Sequence, residues 1–169
     1  MKKTVLTFGL ISGGIMGILM IITAFIAQNS NFDMGEVIGY STMILASVML
    51  FIGIKSYRDN VGNGVISFGK AFKVALLITL VSTLIYVLVW MVLSYTIMTD
   101  FMDKYAAAMV EKAKSSGLTP EQLAAKKEEM QMYQEMYKNP LYRAAFTFIE
   151  PLPVGVPMSL IAALILKKK

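Results

Sequence analysis

Residues Val5–Ala27 read VLTFGLISGGIMGILMIITAFIA, 23 consecutive positions without a charge or a proline. A helix rises about 1.5 Å per residue, so roughly 20 such residues cross a hydrocarbon core about 30 Å thick. The stretch predicts a membrane-crossing helix. Three more blocks share its character: Val37–Ile54 with 18 residues, Val74–Met98 with 25 and Ala144–Leu166 with 23. Together the four blocks take 89 of 169 residues. The chain is 56% hydrophobic and 16% charged, with a mean hydropathy of +0.62. A soluble domain carries about 45–50% apolar and about 25% charged residues. These values exclude a soluble globular domain, a disordered chain and a nucleic-acid-binding module. The predicted fold is all-α: a single polytopic membrane domain over 1–169, with four transmembrane helices and an extracytoplasmic helical hairpin at 99–143.

Each end of this pattern has its own detail. Met1-Lys2-Lys3 resembles the positive end of a secretory signal, but a signal core runs only about 7–15 residues before a small-x-small cleavage site. The run here is 23 residues and Ala24-Phe25-Ile26-Ala27 has the wrong spacing, so an anchored first helix is predicted. The fourth block holds Glu150, Pro151, Pro153, Gly155 and Pro157. Proline lacks an N–H and clashes with the carbonyl four residues back, so Pro157 kinks or breaks a helix. Pro151 fits a first helical turn, where its missing N–H costs nothing. The span then starts either at Ala144 or at Pro151, with Ala144–Glu150 at the interface in the second case.

Charge sets the expected orientation. Nine basic residues (Lys2, Lys3, Lys55, Arg58, Lys70, Lys73 and Lys167 to Lys169) lie at the N-terminus, the second connection and the C-terminus, against Asp59 alone. The first connection, Gln28–Glu36, carries Asp33 and Glu36 and no cation. Thr99–Arg143 has seven basic and seven acidic residues. The positive-inside rule predicts cytoplasmic termini and an even number of spans, in agreement with four. The same cations are expected to face anionic lipid headgroups on the cytoplasmic side. The net charge of +5 therefore needs no nucleic acid.

The segment between spans three and four reads as two helices. Thr119-Pro120-Glu121-Gln122 has a capping residue, a first-turn proline and a glutamine at the capping-box position. Leu123, Met130, Tyr133 and Tyr137 follow at helical spacing. Phe101, Tyr105 and Met109 keep an i, i+4 rhythm upstream, and Ser115-Ser116-Gly117 signals a turn. The third span is predicted to continue to about Ser115, turn, and return from Thr119 to about Lys138. Met130, Tyr133 and Tyr137 form the candidate face for a protein partner, whose identity the sequence leaves unknown.

Several constellations bear on function. Gly9, Gly13 and Gly17 place small residues on one face of the first span, where backbones can approach closely in lipid. That face serves packing within the chain or a homo-oligomer. Thr79, Ser82, Thr83, Tyr86, Trp90 and Ser94 line one side of the third span, as hydroxyls that glue a bundle do. Glu150 is the one ionisable residue inside a block, and an intramembrane carboxylate is a functional hypothesis by default. Glu150, Pro151 and Pro157 are the candidate functional residues, since broken helices often build transporter sites. A helix starting at Pro151 would instead leave Glu150 facing headgroups beside a favourable helix N-terminus.

Three chemistries find no support. The chain has no cysteine and no histidine, which removes thiol nucleophiles, Cys/His metal sites and imidazole bases. Gly64–Ala71 nearly spells a phosphate-binding loop, but Ala71 replaces the Mg²⁺-ligating hydroxyl and no buried strand precedes it. Fourteen methionines would suit Cu(I) as thioethers, yet methionine also fills apolar faces. No catalytic residue, cofactor or metal is assigned, and an enzyme is not expected.

Six motifs follow one another in the order Lys2–Gly13, Gly35–Tyr40, Lys55–Asp59, Ser67–Lys73, Phe101–Tyr105 and Phe148–Gly155. Together they resemble the membrane-protein family called domain of unknown function 4199, over nearly the whole chain. The resemblance implies a bacterial inner-membrane protein with the hairpin in the periplasm. It supplies no activity. The leading expectation is a non-enzymatic interaction or assembly subunit that presents the hairpin. The alternative is a small transporter or channel component using Glu150 and the Pro-broken fourth helix.

Overall fold

The computed structural model describes residues 1–27 and 32–168. Residues 28–31 of the first connection and Lys169 lie outside the described residues, as do the side chains of Asp33 and Glu36. The helices are α1 (Lys2–Ala27), α2 (Phe32–Ala46), α3 (Val48–Asn60), α4 (Phe68–Thr96), α5 (Phe101–Ser115), α6 (Pro120–Lys138), α7 (Pro140–Ile149) and α8 (Leu152–Leu166). Among the described residues four stretches are long and apolar enough to cross a membrane: Lys2–Phe25, Val37–Asn60, Phe68–Thr96 and Pro140–Leu166. The second and third run past their apolar blocks to include Lys55, Arg58, Lys70 and Lys73. Long basic side chains can lay their stems along apolar surface and keep the charge in the headgroups.

Polarity in the bundle is reversed relative to a soluble protein. Ser12, Ser47, Thr79, Ser82, Thr83 and Ser159 are buried, whereas Leu10, Ile18, Leu84, Leu88, Val92 and Ile165 are exposed. In hydrocarbon the outward aliphatic groups are at home, and the small hydroxyls inside find carbonyl partners. Ser12 donates to the Ala46 carbonyl at 3.2 Å, and Thr79 and Ser159 share a 3.1 Å hydrogen bond. Ser82 donates to the carbonyls of Ile78 and Gly9. Ser47 donates to the Met43 carbonyl at 2.8 Å at the break between α2 and α3.

Glycine sets the closest approach. Gly9, Gly13 and Gly17 face Val81, Ile85 and Val89 of α4 in parallel register. A Cβ on Gly9 would stand 2.6 Å from the Val81 Cβ, and one on Gly13 would stand 2.6 Å from the Ile85 Cδ1. Rows of every fourth residue on both helices therefore interlock. Gly155 of α8 lies against Thr79 in the same manner.

The third crossing does not run on to Ser115. It stops at Thr96, whose hydroxyl donates to the Val92 carbonyl at 2.8 Å, and α5 starts anew at Phe101. Side chains that bond nearby carbonyls offer the backbone an alternative to a straight helix. Beyond Ser115 the chain turns at Gly117, whose φ of +74° only glycine adopts without cost. Thr119 and Gln122 then form the reciprocal capping box that opens α6. Ala106 and Ala113 of α5 and Met130 of α6 are buried in the hairpin, and Gln134 donates to Asp103 across it at 2.8 Å.

Candidate functional site

Tyr86, Trp90 and Ser94 recur every fourth residue on α4 and so share one face. Arg143, Thr147 and Glu150 share a face of α7 and its C-cap. The two rows mesh in antiparallel order. Arg143 donates from Nη1 to the Ser94 hydroxyl at 3.1 Å at one end. The Glu150 carboxyl lies beside the Tyr86 hydroxyl at the other. Thr147, 5% exposed, sits between them and donates to the Arg143 carbonyl at 2.9 Å. The outward side of α7 is apolar, with Leu141, Tyr142, Phe146 and Ile149 all exposed.

The hairpin closes on the same seam. Trp90 donates from its indole to the Tyr137 hydroxyl at 2.6 Å and stacks edge-on against Phe101, with centroids 4.8 Å apart. The Arg143 guanidinium lies 4.4 Å from the Tyr95 ring centre and 4.7 Å from that of Tyr137. Its Nε donates to the Tyr137 carbonyl at 3.2 Å. Such stacking suits a planar, weakly hydrated cation. Burial pushes the Tyr137 hydroxyl up to about 12, against the opposing effects of the Trp90 N–H and the Arg143 charge. Asn139 caps α7 by accepting from the Leu141 amide at 2.9 Å, and this aims Arg143 back at Tyr137.

A family model described as Protein of unknown function (DUF4199) matches residues 7–168. The chain belongs to this family. No curated protein and no solved structure matches it. The matched stretch of this DUF4199 chain runs from the first crossing through the hairpin to the end of α8, so it contains the whole seam.

The residues singled out in the sequence occupy different places in this family member. Glu150 lies at the break between α7 and α8 with Tyr86. Pro151 is buried there and borders a cavity of about 20 Å³ that Ser12, Ser47, Thr79, Ser82 and Thr83 also line. That volume holds about one water molecule. Pro157 lies inside α8 and is exposed. Gly9, Gly13 and Gly17 are taken up by α4 of the same chain. Of the face Met130, Tyr133 and Tyr137, Met130 is 3% exposed and borders the groove between α5 and α6, Tyr133 is half-buried edge-on against Phe146, and Tyr137 is half-buried against Trp90. Helical spacing marks an apolar face without saying which surface covers it, and here the chain covers part of it. An open groove of about 420 Å³ lies between α5 and α6, bordered by Ala107, Val110, Glu111, Lys127, Met130 and Gln131.

Arg143 is the functional-looking residue that sequence reasoning missed. It is the one arginine among the seven basic residues of the segment 99–143. That choice of arginine over lysine was the available signal, because only a planar guanidinium stacks between two rings. Among the described residues no three carboxylates gather where a metal ion could be held.

Proposed function

We propose that this DUF4199 protein is a non-enzymatic interaction or assembly subunit of a bacterial cytoplasmic membrane. Both termini lie in the cytoplasm, and the α5–α6 hairpin stands on the opposite side as a receiving surface. The observation behind this reading is the Trp90–Tyr137–Arg143 junction, which ties the hairpin to the third crossing and leaves the α5–α6 groove open. A surface held at fixed orientation above a bundle suits recognition. The charge distribution supports the sidedness by the positive-inside rule.

The protein lacks cysteine, which makes the test direct. Single cysteines at Ser56 and Ser116 are exposed in turn to a membrane-impermeant thiol reagent, with the outer membrane permeabilised. Labelling at 116 and not at 56 is expected, and the reverse pattern sinks the orientation. A photo-crosslinking side chain at Val110 or Gln131, in native membranes, is expected to give one adduct of defined mass that the same group at lipid-facing Leu84 does not give. Equal adducts at all three positions would dismiss the receiving-surface reading.

A second reading rests on a different contact. Tyr86 and Glu150 meet at a proline-broken helix beside the hydroxyl-lined cavity, as a small transporter or channel component would require. Ion flux through vesicles of the purified protein, lost in Glu150→Gln, would favour this reading over the first.

A further inference from the structure

Basic side chains from separate stretches of the chain meet where α3 gives way to α4. The loop between those helices pairs with the C-terminal stretch in an antiparallel bridge. Ile66 donates its N–H to the Lys168 carbonyl at 2.8 Å, and Lys168 donates to the Ile66 carbonyl at 2.9 Å. Ile66 is 3% exposed and belongs to the core cluster with Val5, Tyr57, Ala71 and Ala163. The bridge is thus anchored in the bundle and carries Lys168 to the end of α3. There Arg58 donates from Nε to the Asp59 carboxylate at 2.7 Å, and the charges of Lys55 and Lys168 act on the same carboxylate. One anion faces three cations. Lys70 and Lys73 are exposed on the first turns of α4, and Lys2 and Lys3 are exposed at the start of α1. Exposed Val61, Val65 and Phe68 lie on the same loop and helix start. Positive charge for a phosphate beside apolar groups for the glycerol and upper acyl chain matches a phospholipid at the membrane surface.

We propose that this end of the bundle binds the headgroup phosphate of an anionic phospholipid, with Lys55, Arg58 and Lys168 as its ligands and the Ile66–Lys168 bridge as its frame. The positive-inside pattern alone gives diffuse attraction, which follows total charge. A built site instead depends on which cations are present.

The test uses the full chain in nonionic detergent with equimolar phosphatidylglycerol and phosphatidylcholine, read by native mass spectrometry. One or two retained phosphatidylglycerol molecules are expected, with a preference of roughly tenfold or more. The variant Lys55→Gln/Arg58→Gln/Lys168→Gln is expected to lose that preference. Lys126→Gln/Lys127→Gln/Lys138→Gln, with the same charge change on the hairpin, keeps it. Equal losses in the two triple variants would mean diffuse attraction and overturn the site. Equal retention of both lipids by the unmodified protein also overturns it, as does full displacement of phosphatidylglycerol by millimolar inorganic phosphate. Should the first triple variant lose its helical signal, Lys168→Gln alone carries the comparison, with a loss of at least threefold expected and no change overturning the proposal.

Discussion

The indole N–H of Trp90 and the phenol oxygen of Tyr137, 47 positions apart in the chain, share a 2.6 Å hydrogen bond. This bond joins the third crossing to the returning arm of the hairpin. Tyr137 accepts this bond, and burial of the half-covered site keeps its hydroxyl neutral although the Trp90 N–H favours the phenolate. The expected consequences reach from this residue to its neighbours.

Tyr137 titrates at about 12 in the fold against 10.0 for an ordinary tyrosine. A raised value favours the neutral form, so this contribution is intact below pH 10 and is lost as pH climbs toward about 12. Trp90 is the only tryptophan and reports the contact by its fluorescence. Emission is expected to change between pH 10 and 12, with the component from Tyr137 lost in Tyr137→Phe. Identical titration curves for the two proteins would refute the assignment.

Arg143→Lys keeps the charge and loses the flat face between Tyr95 and Tyr137 together with a donor to Ser94. The junction is expected to weaken by about 1 kcal/mol. Protease cleavage in the α6–α7 corner, measured in detergent, should quicken accordingly. Rescue by lysine to the rate of the unmodified protein would show that charge alone matters.

Gly9→Leu drives a side chain into Val81 and is expected to cost about 1–3 kcal/mol. Gly14→Leu meets open space on the same helix and should change stability by less than about 0.5 kcal/mol. Thermal unfolding of both in detergent measures the difference. Equal melting would place the close approach elsewhere.

Glu150→Leu removes the carboxyl beside the Tyr86 hydroxyl, at an expected cost of about 1 kcal/mol. In a Tyr86→Phe background that cost should vanish, and a double-mutant cycle reads the coupling. Strictly additive effects would separate the two residues energetically.

The four crossings were legible because hydrocarbon thickness demands long uncharged runs, and Val5–Ala27 is longer than a signal core. The glycine face of the first helix was legible as a packing face, although its partner in α4 was not. Periodicity describes one helix at a time. The capping box at Thr119 was legible because its two bonds are local. The seam was not, since Trp90 and Tyr137 are distant in sequence and neither residue type announces the other. For the same reason the contacts of Tyr133 with Phe146 and of Tyr137 with Trp90 were not legible in the apolar rhythm of Met130, Tyr133 and Tyr137. The break after Thr96 escaped because apolar rhythm continues across it through Phe101 and Tyr105.

The prolines at 151, 153 and 157 carry one further consequence. Each removes the amide that would bond four residues back, so the carbonyls of Thr147, Ile149 and Pro153 have no backbone donor at that spacing. Bending the fourth crossing there opposes fewer ladder bonds than bending α4, which has no proline. The molecule thus has a stiff mast in α4 and a ready-made elbow beside it. The hairpin is tied to the mast through Trp90, and the elbow beside it is where the Glu150 carboxyl sits.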